Sequence, residues 1–307
     1  MRSVSSAVVI YRPVLWGTNI GAAYALGFAG LGLDLSTNIA GYIKPNFYTH
    51  TMKFLARDLA ASNTPFEVLF WVGCAGAFDD RYRRVTQAFA GLLEKAGVAF
   101  AVLGDEEACT GDPARRAGNE FQFQMLAAQN IQTFSLYGVK KIVTACPHCF
   151  NTLRNEYPEL GLEAEVLHHS QFLVQLLESG KLRVEGAPVS EKVVYHDSCF
   201  LGRANEVYEA PRQIIQALKA DLFELKRSRA KGLCCGAGGA QMFKEAEKGT
   251  KEVNIERIEE LLETNPAVIA VACPFCMTML SDGVKNKEKE GQVVVKDIAE
   301  LLAARVL

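Results

Sequence analysis

Lys141-Ile-Val-Thr-Ala-Cys-Pro-His-Cys-Phe-Asn-Thr-Leu153 returns further along the chain as Val268-Ile-Ala-Val-Ala-Cys-Pro-Phe-Cys-Met-Thr-Met-Leu280. Both copies run from a short apolar segment through Ala-Cys-Pro-x-Cys to a leucine. Outward from this pair the echo continues. Cys74, Cys109, Cys146 and Cys149 precede Cys199, Cys234, Cys273 and Cys276 by 125, 125, 127 and 127 residues. So constant an offset marks an internal duplication. One cysteine has no counterpart: with Gly111 set against Gly236, Cys109 falls on Cys234 and Thr110 stands in place of Cys235. The first repeat therefore offers four thiols and the second five.

Within each repeat, apolar runs alternate with helical patterns. Residues Glu67–Val72, Val98–Leu103, Lys141–Thr144 and Ala164–Leu167 read as buried strands. Lys192–Tyr195, Leu222–Leu225, Val268–Ala272 and Val293–Val295 repeat them. Helices are expected from Asp79 or Asp80 to Ala96, over Ala114–Tyr137 with Gly138 as its stop, and over Ser170–Glu178, with Phe150–Tyr157 as a segment of the unit given no element type. In the second repeat they fall over Pro211–Lys219, Gln241–Thr264 and Asp297–Arg305. Strands alternating with helices argue a layered α/β architecture. The three cysteine groups in each repeat follow strands, where such sheets gather their ligands.

The 307 residues suffice for two domains. The expected organisation is an N-terminal extension over 1–65, a first repeat over 66–185 and a second over 190–307. A net charge of -2 with both signs interspersed provides no basic surface for nucleic acid. The charge run Lys285–Glu290 reads as a solvated loop. Nine cysteines, an odd number without a secretory signal ahead of them, argue against a disulfide framework. Reduced thiols in a cytoplasmic compartment are expected instead. In the extension, the 21 residues Pro13–Leu33 carry no charge, just enough to span a bilayer. Gly17, Gly21, Gly27, Gly30 and Gly32 make this a poor hydrophobic helix, so partner docking is the competing reading. Lys44-Pro45-Asn46 reads as a turn before a short helix over His50–Ala61.

Soft thiolate donors in this number point to a metal-sulfur centre, with iron-sulfur clusters, zinc and Cu(I) as the candidates. Zinc closes its shell with four ligands, so it suits the first repeat better than the second. Adjacent Cys234 and Cys235 fit one tetrahedron poorly, whereas a centre with several metals can take each on a different one. A thioredoxin-like dithiol would explain Cys146-Pro-His-Cys149 alone but leaves Cys74, Cys109, Cys199, Cys234 and Cys235 without a role. Gly232-Leu-Cys-Cys-Gly-Ala-Gly-Gly239 matches no phosphate loop. Its glycines suit backbone wrapped around a bulky inorganic group, with N–H groups aimed at sulfur. His148 and His196 stand near cysteines, where they either tune such a centre or satisfy local hydrogen bonds. His168-His169 precedes a helix and reads as a capping segment.

The five-cysteine pattern with its Cys-Cys-Gly core, present twice over residues 67–305, resembles the cysteine-rich (CCG) domain family. That family includes the B-type catalytic component of heterodisulfide reductase and iron-sulfur components of glycolate oxidase. Phe70-Trp-Val-Gly-Cys-Ala-Gly76, Cys109-Thr-Gly-Asp-Pro-Ala-Arg-Arg116 and His196-Asp-Ser-Cys-Phe-Leu-Gly-Arg203 are similar to its branch of bacterial (Fe-S)-binding proteins. The resemblance implies two tandem α/β repeats, each with a metal-sulfur site at strand ends. It also implies a non-cubane [4Fe-4S] cluster on Cys199, Cys234, Cys235, Cys273 and Cys276. Thr110 departs from the family pattern, which leaves a cubane [4Fe-4S] cluster, zinc or a modified cluster open for Cys74, Cys109, Cys146 and Cys149.

The function so implied is an electron-transfer subunit of a heterodisulfide reductase-like oxidoreductase, with Cys234 and Cys235 at the catalytic cluster. The alternatives are a relay between a flavoprotein and a quinone-linked partner, or a zinc-bound structural subunit. No flavin, nicotinamide or ferredoxin-type motif is present. Electrons are therefore expected from a ferredoxin-like iron-sulfur subunit or a flavoprotein, at the inner face of the membrane if Pro13–Leu33 or a partner anchors the chain.

Overall fold

A computed structural model describes residues 54–186, 190–243 and 248–307. The Pro13–Leu33 stretch and the turn at Lys44-Pro45-Asn46 lie outside the described residues. Among the described residues no helix is long and apolar enough to cross a membrane.

The apolar runs become strands: β1 (Val68–Trp71), β2 (Phe100–Ala101), β3 (Lys141–Thr144) and β4 (Glu165–His168) form one parallel sheet in the order β2-β1-β3-β4. Val68 pairs with Phe100, Leu69 with Ile142, and Ile142 with Val166. The second repeat builds the same sheet from β5 (Lys192–Tyr195), β6 (Asp221–Phe223), β7 (Val268–Val271) and β8 (Val294–Asp297), in the order β6-β5-β7-β8. β1 and β7 are buried along their whole length. Unbroken apolar runs of this kind belong to parallel strands covered on both faces.

The helices, in chain order, are α1 (Ala56–Ala61), α2 (Gly73–Phe78), α3 (Tyr82–Lys95), α4 (Asp112–Arg116), α5 (Glu120–Leu136), α6 (Pro147–Asn151), α7 (His169–Glu178), α8 (Glu209–Ala217), α9 (Val253–Leu262), α10 (Pro274–Asn286) and α11 (Ile298–Val306). Several depart from the sequence reading for identifiable reasons. The single helix expected over Ala114–Tyr137 is two, because Gly118 takes φ +87° and Asn119 then caps α5 by accepting from Gln122 N at 3.1 Å. Of the helix expected over Gln241–Thr264, the described residues form a 3-10 turn at Gln241–Phe243 and the regular helix α9. The strand expected over Val98–Leu103 pairs only at Phe100–Ala101, with one further bridge from Val102 to Leu55. Helix α10 has no counterpart among the expected helices, and its end absorbs Lys285 and Asn286 of the supposed loop.

The repeats pack reciprocally. α3 of the first repeat lies on α11 of the second, and α7 of the first lies on α8 of the second. This exchange of equivalent helices is a near-twofold relation, and one continuous apolar core runs through both repeats. At its centre are His168 and Asp297, the N-caps of α7 and α11, each within a capping box. His169 Nε2 sits 2.9 Å from Asp297 Oδ1, and the Tyr82 hydroxyl lies 3.0 Å from Ala145 O and 3.3 Å from Asp297 Oδ2. His168, His169 and Asp297 are all fully buried. His168 does cap a helix, but its neighbour ties the two repeats together through Asp297, a partner 128 residues away.

Candidate metal-sulfur centres

The near-twofold arrangement places both cysteine sets at the carboxyl ends of their sheets. In the first repeat, Cys74 lies in α2 directly after β1, Cys109 in the loop after β2, and Cys146 and Cys149 at the start of α6 after β3. All four line one cavity together with Trp71, Thr110, Asp112, His148 and Phe275. Gly111, at φ +82°, turns its N–H onto Cys109 Sγ at 3.4 Å, and a Cβ there would sit 2.9 Å from Phe123 Cδ2. Asn130 Nδ2 donates to Cys109 O at 3.1 Å and the Tyr157 hydroxyl to Thr110 O at 3.0 Å, so the loop is held from beneath. Glu107 ties this loop to the Cys74 turn by accepting from Val72 N and Gly73 N at 3.0 and 2.6 Å. Burial pushes the Glu107 carboxyl up to about 8 despite those two donors.

The second repeat repeats this geometry with different chemistry. Gly236, at φ +91°, aims its N–H at Cys234 Sγ at 3.3 Å, the counterpart of Gly111 on Cys109. Cys235 Sγ is 3.4 Å from Cys276 Sγ. At the matching point of the first repeat, the Thr110 hydroxyl donates to Cys149 Sγ at 3.8 Å. Thr110 thus occupies the place of Cys235 in space as well as in sequence. Here the Cys199 loop carries the carboxylate. Asp197 Oδ2 accepts from Arg229 N at 2.7 Å, and Arg212 grips Asp197 through two bonds of 2.8 and 2.9 Å. Arg212 completes its five donors on Glu224 and Tyr208 O. Burial would raise the Asp197 carboxyl, but Arg212 and the Arg229 N–H outweigh it and hold it below its ordinary value.

The thiols compete for protons. Hydrogen bonding from Cys199, and then from Cys235, drives the Cys234 thiol far down, while Cys199 is driven far up by its bond to Cys234 and by burial. Burial raises Cys273, but Cys276, the charge of His148 and the N–H groups opening α10 bring it down to about 7. In the first site Cys109 is lowered by its bond from Cys74, which is itself raised. Such crowded sulfurs cannot all ionise without cations among them. All nine cysteines are free thiols.

Two buried ring nitrogens provide an independent test of whether a metal-sulfur group fits. Among the described residues, Trp71 Nε1 and His196 Nε2 find no hydrogen-bond partner. They occupy equivalent positions, 125 residues apart, each three residues ahead of the first cysteine of its repeat. A ring nitrogen of His196 lies within 4.8 Å of the sulfurs of Cys235 and Cys276. Trp71 lines the first cavity with the four thiols. Buried donors are rarely left unpaired, and acceptors placed among the sulfurs would complete both. The residues fit the group. Burial, together with the charge of Arg257, takes His196 down to about 3, so its ring is neutral.

The two sites abut. His148 stacks on Phe200, next to Cys199, at 4.2 Å between ring centroids, and meets Phe275 edge-on at 4.8 Å. Phe275 in turn lines the first cavity. His148 Nδ1 pairs with Asp112 Oδ2 at 2.9 Å. Burial opposes both charges, but the pairing prevails and raises His148 while lowering Asp112. Asp112 follows Cys109 closely in sequence, yet sequence reasoning gave it no role, and it missed Asp197 and Arg212 as a pair. Their signal is a charge in an otherwise apolar setting, with a partner distant in sequence.

Comparison with known proteins agrees with the duplication. The cysteine-rich domain family, CCG, matches residues 68–154 and 193–281. The chain is 49% identical over 252 residues to the probable iron-sulfur-binding oxidoreductase FadF of Bacillus subtilis, covering 82% of this chain and 36% of that protein. It is 47% identical over 243 residues to the EtfAB:quinone oxidoreductase of Syntrophomonas wolfei, covering 77% and 34%. It is 34% identical over 250 residues to one component of the dihydromethanophenazine:CoB--CoM heterodisulfide reductase of Methanosarcina barkeri, covering 77% and 58%. The chain thus spans about a third of the first two relatives' length and less than two thirds of the third's.

Proposed function

Since the chain belongs to the cysteine-rich (CCG) domain family, we propose that it is an iron-sulfur electron-transfer subunit of an oxidoreductase, with one centre in each repeat. The observation that carries this reading is the unbroken run of sulfur contacts from Cys199 through Cys234, Cys235 and Cys276 to Cys273, beside a ring nitrogen without a partner among the described residues. Cys199, Cys234, Cys235, Cys273 and Cys276 would hold a non-cubane [4Fe-4S] cluster, and Cys74, Cys109, Cys146 and Cys149 a second cluster or zinc. When bound, such a group supplies one-electron transfer and an iron to which a substrate sulfur can bind.

The chain's own residues do the rest. Gly236 and the loop around it bring backbone N–H close to the sulfurs. The Arg212–Asp197 clamp fixes the Cys199 loop against the Cys234 loop. His148 and Phe275 seal the space between the two sites. In the catalytic version, a disulfide takes up two electrons and two protons at the second site and leaves as two thiols, with Cys234 and Cys235 nearest the chemistry. A ferredoxin-like iron-sulfur subunit or a flavoprotein would supply the electrons. The contact between the sites through Phe275 and His148 also favours a relay reading, in which electrons enter at one site and leave from the other. Attachment to a membrane would then run through such a partner or through the Pro13–Leu33 stretch.

The test is low-temperature EPR on protein loaded anaerobically with iron and sulfide, oxidised with and without a small thiol. Disulfide chemistry at the second site predicts a signal that appears with thiol and is lost in Cys235→Ala. A thiol-independent signal would leave the relay reading alone.

A further inference from the structure

We propose that His196 is a fixed hydrogen-bond donor to sulfur at the second centre, and that Arg257 is the residue that positions it. The inference deepens the iron-sulfur reading and rests on it. His196 Nδ1 lies 3.0 Å from Arg257 Nε. An arginine nitrogen can only donate, so Nδ1 is the acceptor and carries no proton, which leaves the ring's N–H on Nε2. Nε2 is the nitrogen without a partner among the described residues, on a ring with one nitrogen within 4.8 Å of the Cys235 and Cys276 sulfurs. The direction of the N–H is therefore settled by a residue 61 positions away in sequence, on α9.

Arg257 is itself immobilised. Its side chain is fully buried, with Nη1 bonded to Arg227 O at 3.0 Å and to Glu260 Oε2 at 2.7 Å. A rigid donor anchored in this way does not need to reorient when electrons arrive. The first repeat places Trp71 Nε1 at the equivalent position. Indole can only donate, so it needs no arginine to fix its tautomer. Each repeat thus has one ring N–H for its own sulfurs. The second repeat builds it from a residue that could also have accepted a proton or bound metal, and uses Arg257 to foreclose both.

A donor to cluster or thiolate sulfur favours the more negative, reduced state, and so raises the reduction potential. The experiment is an EPR-monitored redox titration of the full chain loaded with iron and sulfide, alongside iron analysis. H196F keeps a ring and removes the N–H. It should retain full iron content, lower the second centre's potential and leave the first centre's unchanged. A tenfold change in the reduced-to-oxidised ratio at fixed poise, or about 59 mV for a one-electron couple, is the scale expected. H196Q, whose amide N–H can reach the Nε2 position, should restore most of the potential. R257M should shift it in the same direction as H196F by a smaller amount, and by nothing further in the H196Q background. W71F should lower only the first centre.

An unchanged potential in H196F would overturn the proposal. So would loss of iron from the second site alone in both H196F and H196Q, which would make His196 a ligand. A wild-type chain that takes up no iron would instead defeat the underlying reading, an outcome separable from either.

Discussion

Glu107 and Asp197 perform the same task in opposite directions. In the first repeat the carboxylate sits two residues before Cys109 and reaches back to Val72 N and Gly73 N beside Cys74. In the second it sits two residues before Cys199 and reaches forward to Arg229 N, ahead of Cys234. Each joins the first cysteine loop to the second. Glu107 is pushed up to about 8 by burial, whereas Asp197 is held down by Arg212. Duplication has preserved where the loops must meet, while the means of joining them has drifted. The same is true of the sites themselves, where a hydroxyl of Thr110 stands opposite a thiol of Cys235.

The largest effect that would test this contrast is removal of the cation from the second clamp. Arg212→Met leaves Asp197 buried without its cation, held only by the Arg229 N–H, and breaking such a pair costs about 3–5 kcal/mol. Chemical denaturation should show that loss, and the second site should bind metal poorly while the first binds normally. Equal loss at both sites would mean that the clamp supports the whole fold and not one site.

A middle-sized effect separates the two glycine turns. Both Gly111 and Gly236 hold positive φ, so alanine is strained at either, at about 1–3 kcal/mol. At Gly111 the added Cβ would also lie 3.1 Å from the backbone Cα of Phe123, while at Gly236 its nearest neighbour is Val253 Cβ at 3.2 Å. Gly111→Ala should therefore lower the thermal midpoint more than Gly236→Ala. The reverse order would place more strain in the second loop than its geometry implies.

The smallest energetic effect is the most informative about chemistry. Thr110→Cys restores a fifth thiol at a position already 3.8 Å from Cys149 Sγ. Stability should change by less than about 1 kcal/mol, in keeping with a small substitution at a site that accepts either group. After loading with iron and sulfide, the optical and EPR spectra of the first site should approach those of the second. A spectrum identical to wild type would show that more than the ligand count distinguishes the two.

The cysteine groups, the duplication and the alternating strands were visible in the sequence because they depend on residue type at fixed spacing. The Thr110 substitution was equally legible, since a one-residue change against a glycine landmark is unambiguous. The helices were less so. Gly118-Asn119 carried a stop and a start that a long periodic pattern concealed, and α10 was hidden because Pro274 to Leu280 is apolar almost throughout and has little helical contrast. The supports of the sites were not legible at all. Arg212 with Asp197, Arg257 with His196, and His169 with Asp297 are partners only because parallel sheets bring distant loops and helix starts together. No local pattern records such a pairing.

The most direct measurement of the central claim is the iron, acid-labile sulfide and zinc content of the full chain purified without oxygen. The account predicts iron and sulfide in the second repeat, at about four of each per chain if only that site is loaded and about eight if both are. It also predicts that Cys235→Ala reduces the second site's share and spares the first. Zinc in both repeats, with no sulfide, would contradict it and leave a structural protein built on the same thiols.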